Sequence, residues 1–197
     1  MRPIARSEIR SREEYERARD EFRRGVMVRK AKRRVLLGEH CSIHFEDRET
    51  MLYQVHEMLR VEGSWTRPGA VEDELEAYNP LIPRAGQLSA TVMFEYETPE
   101  ERSAILPRLV GIDRHLHLHI GDRPPIPGVF DGSQIDERKI SSVQYVTWTL
   151  DPATRARLKE EGTVVRIVVD HPCYRAQAVL SEETRRAIMN DPDEETP

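Results

Sequence analysis

Residues 45–62, FEDRETMLYQVHEMLRVE, separate apolar and polar positions onto two sides of a predicted helix. At 100° per residue the apolar side gathers Met51, Leu52, Val55, Met58 and Leu59. The opposite side carries a polar stripe, within about 100° of arc, that consists of Glu49, Tyr53, His56, Glu57 and Arg60. We expect the apolar side to enter the main core. The polar stripe is predicted to be either a functional face or a solvated surface with pairs such as Glu57–Arg60.

The remaining pattern predicts strands mixed with helices. Residues 163–170, TVVRIVVD, form a continuous apolar run that is typical of a central strand. Residues 33–46 read as one strand, in which Ser42, His44 and Glu46 share the face opposite Cys41, Ile43 and Phe45. A capping box at residues 11–14 starts a helix over residues 12–25. Without strict strand–helix alternation, the prediction is an α+β fold with a mostly antiparallel sheet covered by helices.

Length and charge favour one folded unit. The 197 residues predict a single α+β domain over 1–197, with a basic helical arm (1–34) and a frayed acidic tail (191–197). The arm holds 13 Lys and Arg against 6 Asp and Glu, a balance of +7, so the rest of the chain carries −12 and the net charge is −5. We therefore expect the arm to pack on the acidic body rather than on nucleic acid. No apolar run is long enough to span a membrane, and a cytoplasmic location is expected.

The histidines suggest metal binding as one kind of chemistry. His115, His117 and His119 alternate along a predicted strand and share one face. Such a ladder could bind zinc or iron, or it could be a half-exposed sheet face. His44 follows Cys41 in a Cys-x-x-His spacing, although strand alternation puts the two on opposite faces. The chain lacks Glu-x-x-His, so we expect no di-iron site, and the sequence assigns no cofactor.

Acid–base chemistry is the other candidate. Carboxylates and imidazoles exchange protons with substrates, and the catalytic candidates are Glu46, Glu49, His56, Glu57 and His171. A ligand or partner face is expected from the polar positions of the same helix and the loop after residue 77, namely Arg48, Tyr53, Gln54, Arg60, Tyr78 and Asn79. Asp170 could orient His171, near Cys173, although Asp-His-Pro is also a simple turn.

Six segments together resemble an uncharacterised bacterial family of unknown function. They are FEDRETMLYQVHEMLRVE, ELEAYNPLIP, LSATVMFEY, LVGIDR, SSVQYVTW and VVDHPCYR. The likeness covers residues 12–190, and where the family has VWVQV this chain has HLHLH. The resemblance implies a genomic neighbourhood of rubrerythrin-like proteins and iron–sulfur oxidoreductases, and hence a link to peroxide defence or iron–sulfur electron transfer.

Two functions of different classes follow. The first is an accessory or interaction protein for a rubrerythrin-like or iron–sulfur partner, which the resemblance implies. The second is a metal-dependent or acid/base enzyme with its site on the 46–62 helix. A buried stripe around a concave pocket would favour the enzyme, and an exposed flat stripe would favour the interaction protein. The sequence is compatible with a homo-oligomer, and it favours no membrane partner.

Overall fold

The computed structural model describes residues 1–135 and 138–193. Its described α-helices are α1 (Arg12–Lys32), α2 (Arg48–Glu62), α3 (Ala70–Tyr78), α4 (Pro99–Ile105), α5 (Pro152–Lys159) and α6 (Glu182–Ile188). Its described strands are β1 (Arg34–Leu36), β2 (Cys41–Glu46), β3 (Gln87–Phe94), β4 (Leu116–Ile120), β5 (Ile126–Pro127), β6 (Val129–Phe130), β7 (Val143–Thr149), β8 (Val165–His171) and β9 (Tyr174–Val179). The predicted α+β class is confirmed.

The strands form two antiparallel sheets rather than one. Sheet A has the order β1-β2-β3-β7-β6, and sheet B has the order β5-β4-β8-β9. Alternate residues of both sheets meet in the main core, where Phe45 and Trp148 of sheet A join Leu118 and Ile167 of sheet B. The other face of sheet A is therefore free to carry polar side chains.

The segment 33–46 is a hairpin and not the single strand that was predicted. Gly38 turns the chain with a φ of +79°, a left-handed conformation that favours glycine. β1 then pairs with β2 in the register Arg34 opposite His44. The alternation along β2 is as predicted, since Ile43 and Phe45 enter the main core.

Two core predictions had different outcomes. β8 lies between β4 and β9 and is an interior strand of sheet B, as its apolar run predicted. The expectation that α2 enters the main core is wrong. Met51 packs in a small cluster with residues of the N-terminus, and Val55 and Leu59 pack in another cluster against α3. The reason is that the N-terminal segment before α1 and the helix α3 supply separate apolar surfaces to this helix.

The basic arm packs against acidic groups of the body. Arg29 pairs with Asp47 at 2.5 Å, and Arg33, 2% exposed, pairs with both Asp47 and Asp191. Asp191 lies in a short 3₁₀ helix, Asp191–Asp193, so this part of the predicted frayed tail is held to the body. Residues 194–197 of the tail lie outside the described residues, as do residues 136 and 137. None of the described helices has the length and apolarity that a membrane crossing requires.

Candidate functional site

The polar stripe of α2 is covered by α1. Tyr15 is fully buried, and its ring stacks on His56 with 4.6 Å between centroids. Phe22 meets both Tyr53 and His56 edge-on. The side chains of α1 that make these contacts recur seven residues apart and so lie on one helix face. The middle of the stripe is thus part of an aromatic helix–helix interface.

Glu57 is the charged centre of this interface. Its carboxylate accepts hydrogen bonds from the Tyr15 hydroxyl at 2.6 Å and from two guanidinium nitrogens of Arg19 at 2.8 Å. These bonds lower the pKa of Glu57 to about 2, with Arg19 as the largest cause. Arg60 contacts Glu16 instead, at 2.9 Å. The expected Glu57–Arg60 pair is therefore replaced by two pairs between the helices.

His56 has both ring nitrogens engaged. Nδ1 lies 2.7 Å from the carbonyl of Leu52, and Nε2 accepts the backbone N–H of Arg10 at 3.0 Å. A neutral imidazole that donates from Nδ1 and accepts at Nε2 satisfies this arrangement. Burial lowers the pKa of His56, which favours this neutral form.

The ends of the stripe are on the surface. Glu49 is exposed and contacts Arg29 at 3.2 Å. Arg60, at the other end, is also exposed. The half-buried Arg48, which precedes the stripe, donates to both carboxylate oxygens of Glu8, at 2.5 and 2.6 Å. These groups tie the N-terminal segment and α1 to α2. The catalytic role of Glu49 and the role of Arg48 in a ligand or partner face stay predictions.

A concave pocket lies elsewhere, between the polar face of sheet A and the helices. It is a cavity of about 560 Å³, within the usual range for small-molecule sites. Its charged and titratable lining comprises Lys30, Arg34, His44 and Glu46. Further polar groups are Gln54, Tyr78, Thr91 and Tyr145. The apolar lining is Met27, Ala31, Met51, Leu81, Met93 and Val143. We call this space the sheet A cavity.

The sheet register builds one wall of the sheet A cavity. Arg34 lies opposite His44, His44 lies opposite Thr91, and Thr91 lies opposite Tyr145. Four polar side chains therefore form a row across β1, β2, β3 and β7. Directly opposite residues in antiparallel strands have Cβ atoms about 5 Å apart, so neighbours in the row can act on one ligand.

Glu46 is the buried acid of the cavity, with 4% of its surface exposed. Oε1 accepts a hydrogen bond from the Thr91 hydroxyl at 2.7 Å, and Oε2 accepts one from the Thr50 hydroxyl at 2.6 Å. Each carboxylate oxygen can accept a second bond. Glu46 thus retains capacity to accept hydrogen bonds from a ligand.

His44 is two residues from Glu46 on the same face of β2, which corresponds to about 6.5–7 Å along the strand. Burial, assisted by the nearby cations Arg34 and Lys30, lowers the pKa of His44 to about 4. The imidazole is consequently neutral at pH 7. A neutral imidazole and a carboxylate along one wall are groups that can accept and return protons.

The opposite side of the cavity is mainly apolar but includes an amide and a phenol. Gln54 on α2 hydrogen-bonds the side chain of Tyr78, whose pKa is raised by burial. Met51 contributes flexible apolar surface from α2, and Met93 contributes it from β3, beside the polar row of the sheet wall. A ligand with an apolar body and a polar end matches this mixed lining.

A larger depression, of about 630 Å³, lies between α4 and residues 133–134 and 139–142. Its titratable side chains are Arg102 and the exposed Lys139. It gathers no buried acid or imidazole, so the sheet A cavity is the stronger candidate.

The histidine ladder is spread over the outer face of sheet B. His117 and His119 are half-buried on β4, whereas His115 precedes the strand and contacts Asp170 at 3.0 Å. In residues 1–135 and 138–193, no three His, Cys, Asp or Glu side chains cluster closely enough to hold a metal ion. The metal role of the ladder and of His44 has no structural support.

His171 is fixed by the backbone. Nε2 lies 3.2 Å from the carbonyl of Val110, and Nδ1 accepts the backbone N–H of Cys173 at 3.2 Å. The expected orientation of His171 by Asp170 is not present, because Asp170 pairs with His115. Both cysteines are free thiols, and burial raises the pKa of Cys41 to about 12.

Asn79 also has an internal partner. Its amide oxygen accepts the backbone N–H of Ile4 at 2.8 Å, and its amide nitrogen donates to the carbonyl of Ile4 at 3.1 Å. The loop that follows α3 thereby holds the N-terminal segment.

Of the sequence candidates, the structure brings His44, Glu46, Gln54 and Tyr78 together. It separates them from the stripe residues His56 and Glu57 and from His171. Sequence reasoning missed Lys30, Arg34, Thr91 and Tyr145. The alternation within strands 87–94 and 143–149 indicates that Thr91 and Tyr145 each lie on one particular face of their strand. Only the register between the strands aligns them with His44.

The chain belongs to the family described as "Protein of unknown function (DUF3501)", which matches residues 3–192. It is similar to a protein of unknown function from Burkholderia pseudomallei K96243 whose crystal structure has 33% sequence identity to it. That likeness covers 96% of this chain and 99% of the other, with a TM-score of 0.89. A search of curated proteins gave no match. Membership of an uncharacterised family is thus confirmed, and the implied genomic neighbourhood stays a prediction.

Proposed function

We propose that this member of the DUF3501 family binds a small organic molecule in the sheet A cavity, where Glu46 and His44 serve as its acid–base groups. The observation that carries the proposal is the joint presence of a buried carboxylate and a neutral imidazole on one wall of a cavity of about 560 Å³. A titratable group with a shifted pKa in a concave site, here His44, is typical of functional sites.

The charged side chains of the sheet A cavity favour a ligand that has a polar end. The ammonium of Lys30 lies over the Tyr53 ring, 6.0 Å from its centroid, and has no carboxylate partner among the described residues. Arg34 at the same wall is held by the exposed Glu95 at 3.2 Å. A ligand can therefore meet both an acid and a cation without breaking a buried ion pair.

A fragment screen by thermal shift tests the proposal. Fragments that stabilise the wild-type protein should stabilise the His44→Asn and Glu46→Gln variants less, because these substitutions alter the cavity wall. His117→Asn is the matched control, since His117 is a half-buried histidine on a strand of sheet B. Equal stabilisation of all four proteins by every fragment would show that binding occurs elsewhere and would reject the proposal.

The accessory role beside a rubrerythrin-like or iron–sulfur partner, in peroxide defence or electron transfer, rests on the family resemblance. It is a prediction for which the contacts of the described residues give no specific support. The helix stripe and the loop at Asn79, which were its expected recognition surfaces, are largely engaged with α1 and the N-terminal segment. The cavity therefore favours a small-molecule function.

A further inference from the structure

His44 has a hydrogen-bond partner on the side away from Glu46. Ser42 precedes it by two residues on the same face of β2 and is fully buried. The Ser42 hydroxyl oxygen lies 3.0 Å from Nε2 of His44 and 2.5 Å from Oε1 of Glu95. Glu95 follows β3 and is itself paired with Arg34. A continuous hydrogen-bonded chain thus runs from the imidazole to an exposed carboxylate.

The proton positions in this chain follow from donor and acceptor capacity. A carboxylate only accepts, and a serine hydroxyl has a single proton to donate. The Ser42 proton therefore goes to Glu95, and Ser42 can only accept from His44. Nε2 of His44 must then carry the proton. A neutral imidazole has one N–H, which leaves Nδ1 as a bare acceptor.

Nδ1 is the nitrogen of His44 that has no hydrogen bond in the described structure, whereas Nε2 is occupied by Ser42. The imidazole lines the sheet A cavity, so Nδ1 is the ring atom available to a ligand. The nearby cations Arg34 and Lys30 oppose a second proton on this ring. The same wall carries Glu46, whose carboxylate also accepts.

We infer that Ser42 and Glu95 are positioning residues that hold His44 as the Nε2–H tautomer, and that the cavity therefore takes a ligand that donates hydrogen bonds. The chemical class is an uncharged alcohol or amide with an apolar body. Its donors face Nδ1 of His44 and the Glu46 carboxylate, and its body lies against Met51 and Met93. The ligand part of this inference rests on the proposed function, whereas the tautomer part does not.

Long-range ¹H–¹⁵N correlation spectra of protein labelled with ¹⁵N-histidine test the tautomer directly. Loss of signals in His44→Asn assigns the ring. We expect the wild-type protein to show Nε2–H. In Glu95→Gln the Ser42 hydroxyl no longer needs to donate to a carboxylate, so it can donate to Nε2 and shift the ring towards Nδ1–H. Glu95 is exposed, so this variant should fold.

Glu97→Gln is the matched control, because Glu97 is an exposed glutamate two residues away. It should leave the Nε2–H pattern unchanged. A wild-type spectrum with Nδ1–H, or a Glu95→Gln spectrum identical to the wild type, would overturn the positioning role of Ser42 and Glu95. A fully populated Nε2–H form that depends on Glu95 supports it.

Three fragments of similar shape test the ligand class, with methionine methyl signals as the readout. We expect benzamide and benzyl alcohol to shift the Met51 and Met93 signals and benzoate to bind about tenfold more weakly. Tighter binding of benzoate would overturn the donor class. If none of the three shifts a cavity signal while the tautomer is Nε2–H, the binding proposal fails and the tautomer inference stands.

Discussion

Glu57→Gln replaces the charged centre of the α1–α2 interface with an amide of nearly the same shape. The amide oxygen can still accept from Tyr15, but the amide N–H₂ group then faces the guanidinium of Arg19, which also only donates. The change therefore removes the negative charge of the pair and one of its two hydrogen bonds, the one that Arg19 donates to Oε2. We expect a clear loss of stability even though Glu57 lies outside the sheet A cavity.

The magnitude follows from the pKa of Glu57, which folding lowers from 4.5 to about 2. Such a change corresponds to about 3 kcal/mol of stability at pH 7. The two side chains retain 18% and 22% exposure, so water screens part of this energy. We expect Glu57→Gln to lower the free energy of unfolding by about 2 kcal/mol.

Urea denaturation measures this loss. Glu100→Gln, in the first turn of α4 and exposed, should change the free energy of unfolding by no more than about 0.5 kcal/mol. Arg60→Gln should cost less than about 1 kcal/mol, since its pair with Glu16 is exposed. Equal midpoints for Glu57→Gln and Glu100→Gln would refute the interface role of Glu57.

The pH dependence gives an independent check. Because the folded-state pKa of Glu57 is lowered, its contribution is complete above about pH 4.5 and is lost as the pH falls towards 2. The difference between wild type and Glu57→Gln should therefore shrink over this interval. A difference that stays constant from pH 5 to pH 2 would mean that the loss comes from packing and not from charge.

Three further predictions concern other parts of the chain. Leu59→Ala should cost about 2–5 kcal/mol in urea denaturation, against no more than about 0.5 kcal/mol for Val61→Ala, since Leu59 is buried and Val61 is 75% exposed. Ellman's reagent should titrate one thiol, Cys173, in the native protein and two after denaturation; rapid native reaction of both would contradict the burial of Cys41. The pKa of His44 is lowered to about 4, so its contribution to stability is complete above about pH 6.5 and is lost as the pH falls through 4. Between pH 6.5 and pH 4 the free energy of unfolding should therefore fall less steeply in His44→Asn than in the wild type. Equal slopes in the two proteins would contradict this prediction.

The sequence predicted the structural features that depend on residues close together along the chain. The faces of β2 are an example, because alternation in an extended strand separates His44 from Phe45 whatever lies around it. The capping box at Ser11 likewise formed where the spacing predicted it. These features follow from geometry within one element.

Contacts between distant segments could not be read in the same way. Glu57 and Arg60 are correctly spaced for a pair within α2, yet Arg19, 38 residues earlier in the chain, takes the place of Arg60. Helical spacing gave Tyr15 and Phe22 a common face but did not say which helix would cover it. The row that includes Thr91 and Tyr145 likewise depends on the register between strands, which sequence alternation alone leaves open.

The most direct test of the sheet A cavity as the functional site is a fragment titration of protein labelled at the methionine methyl groups. Of the six methionines, Met27, Met51 and Met93 line the cavity, and Met189 packs beside the main core. The prediction is that fragments with hydrogen-bond donors shift the three cavity signals in a saturable way, leave Met189 unchanged, and lose this effect in Glu46→Gln. Saturable shifts that leave the cavity methionines unmoved, or that persist in Glu46→Gln at the same affinity, would contradict the assignment of this cavity as the site.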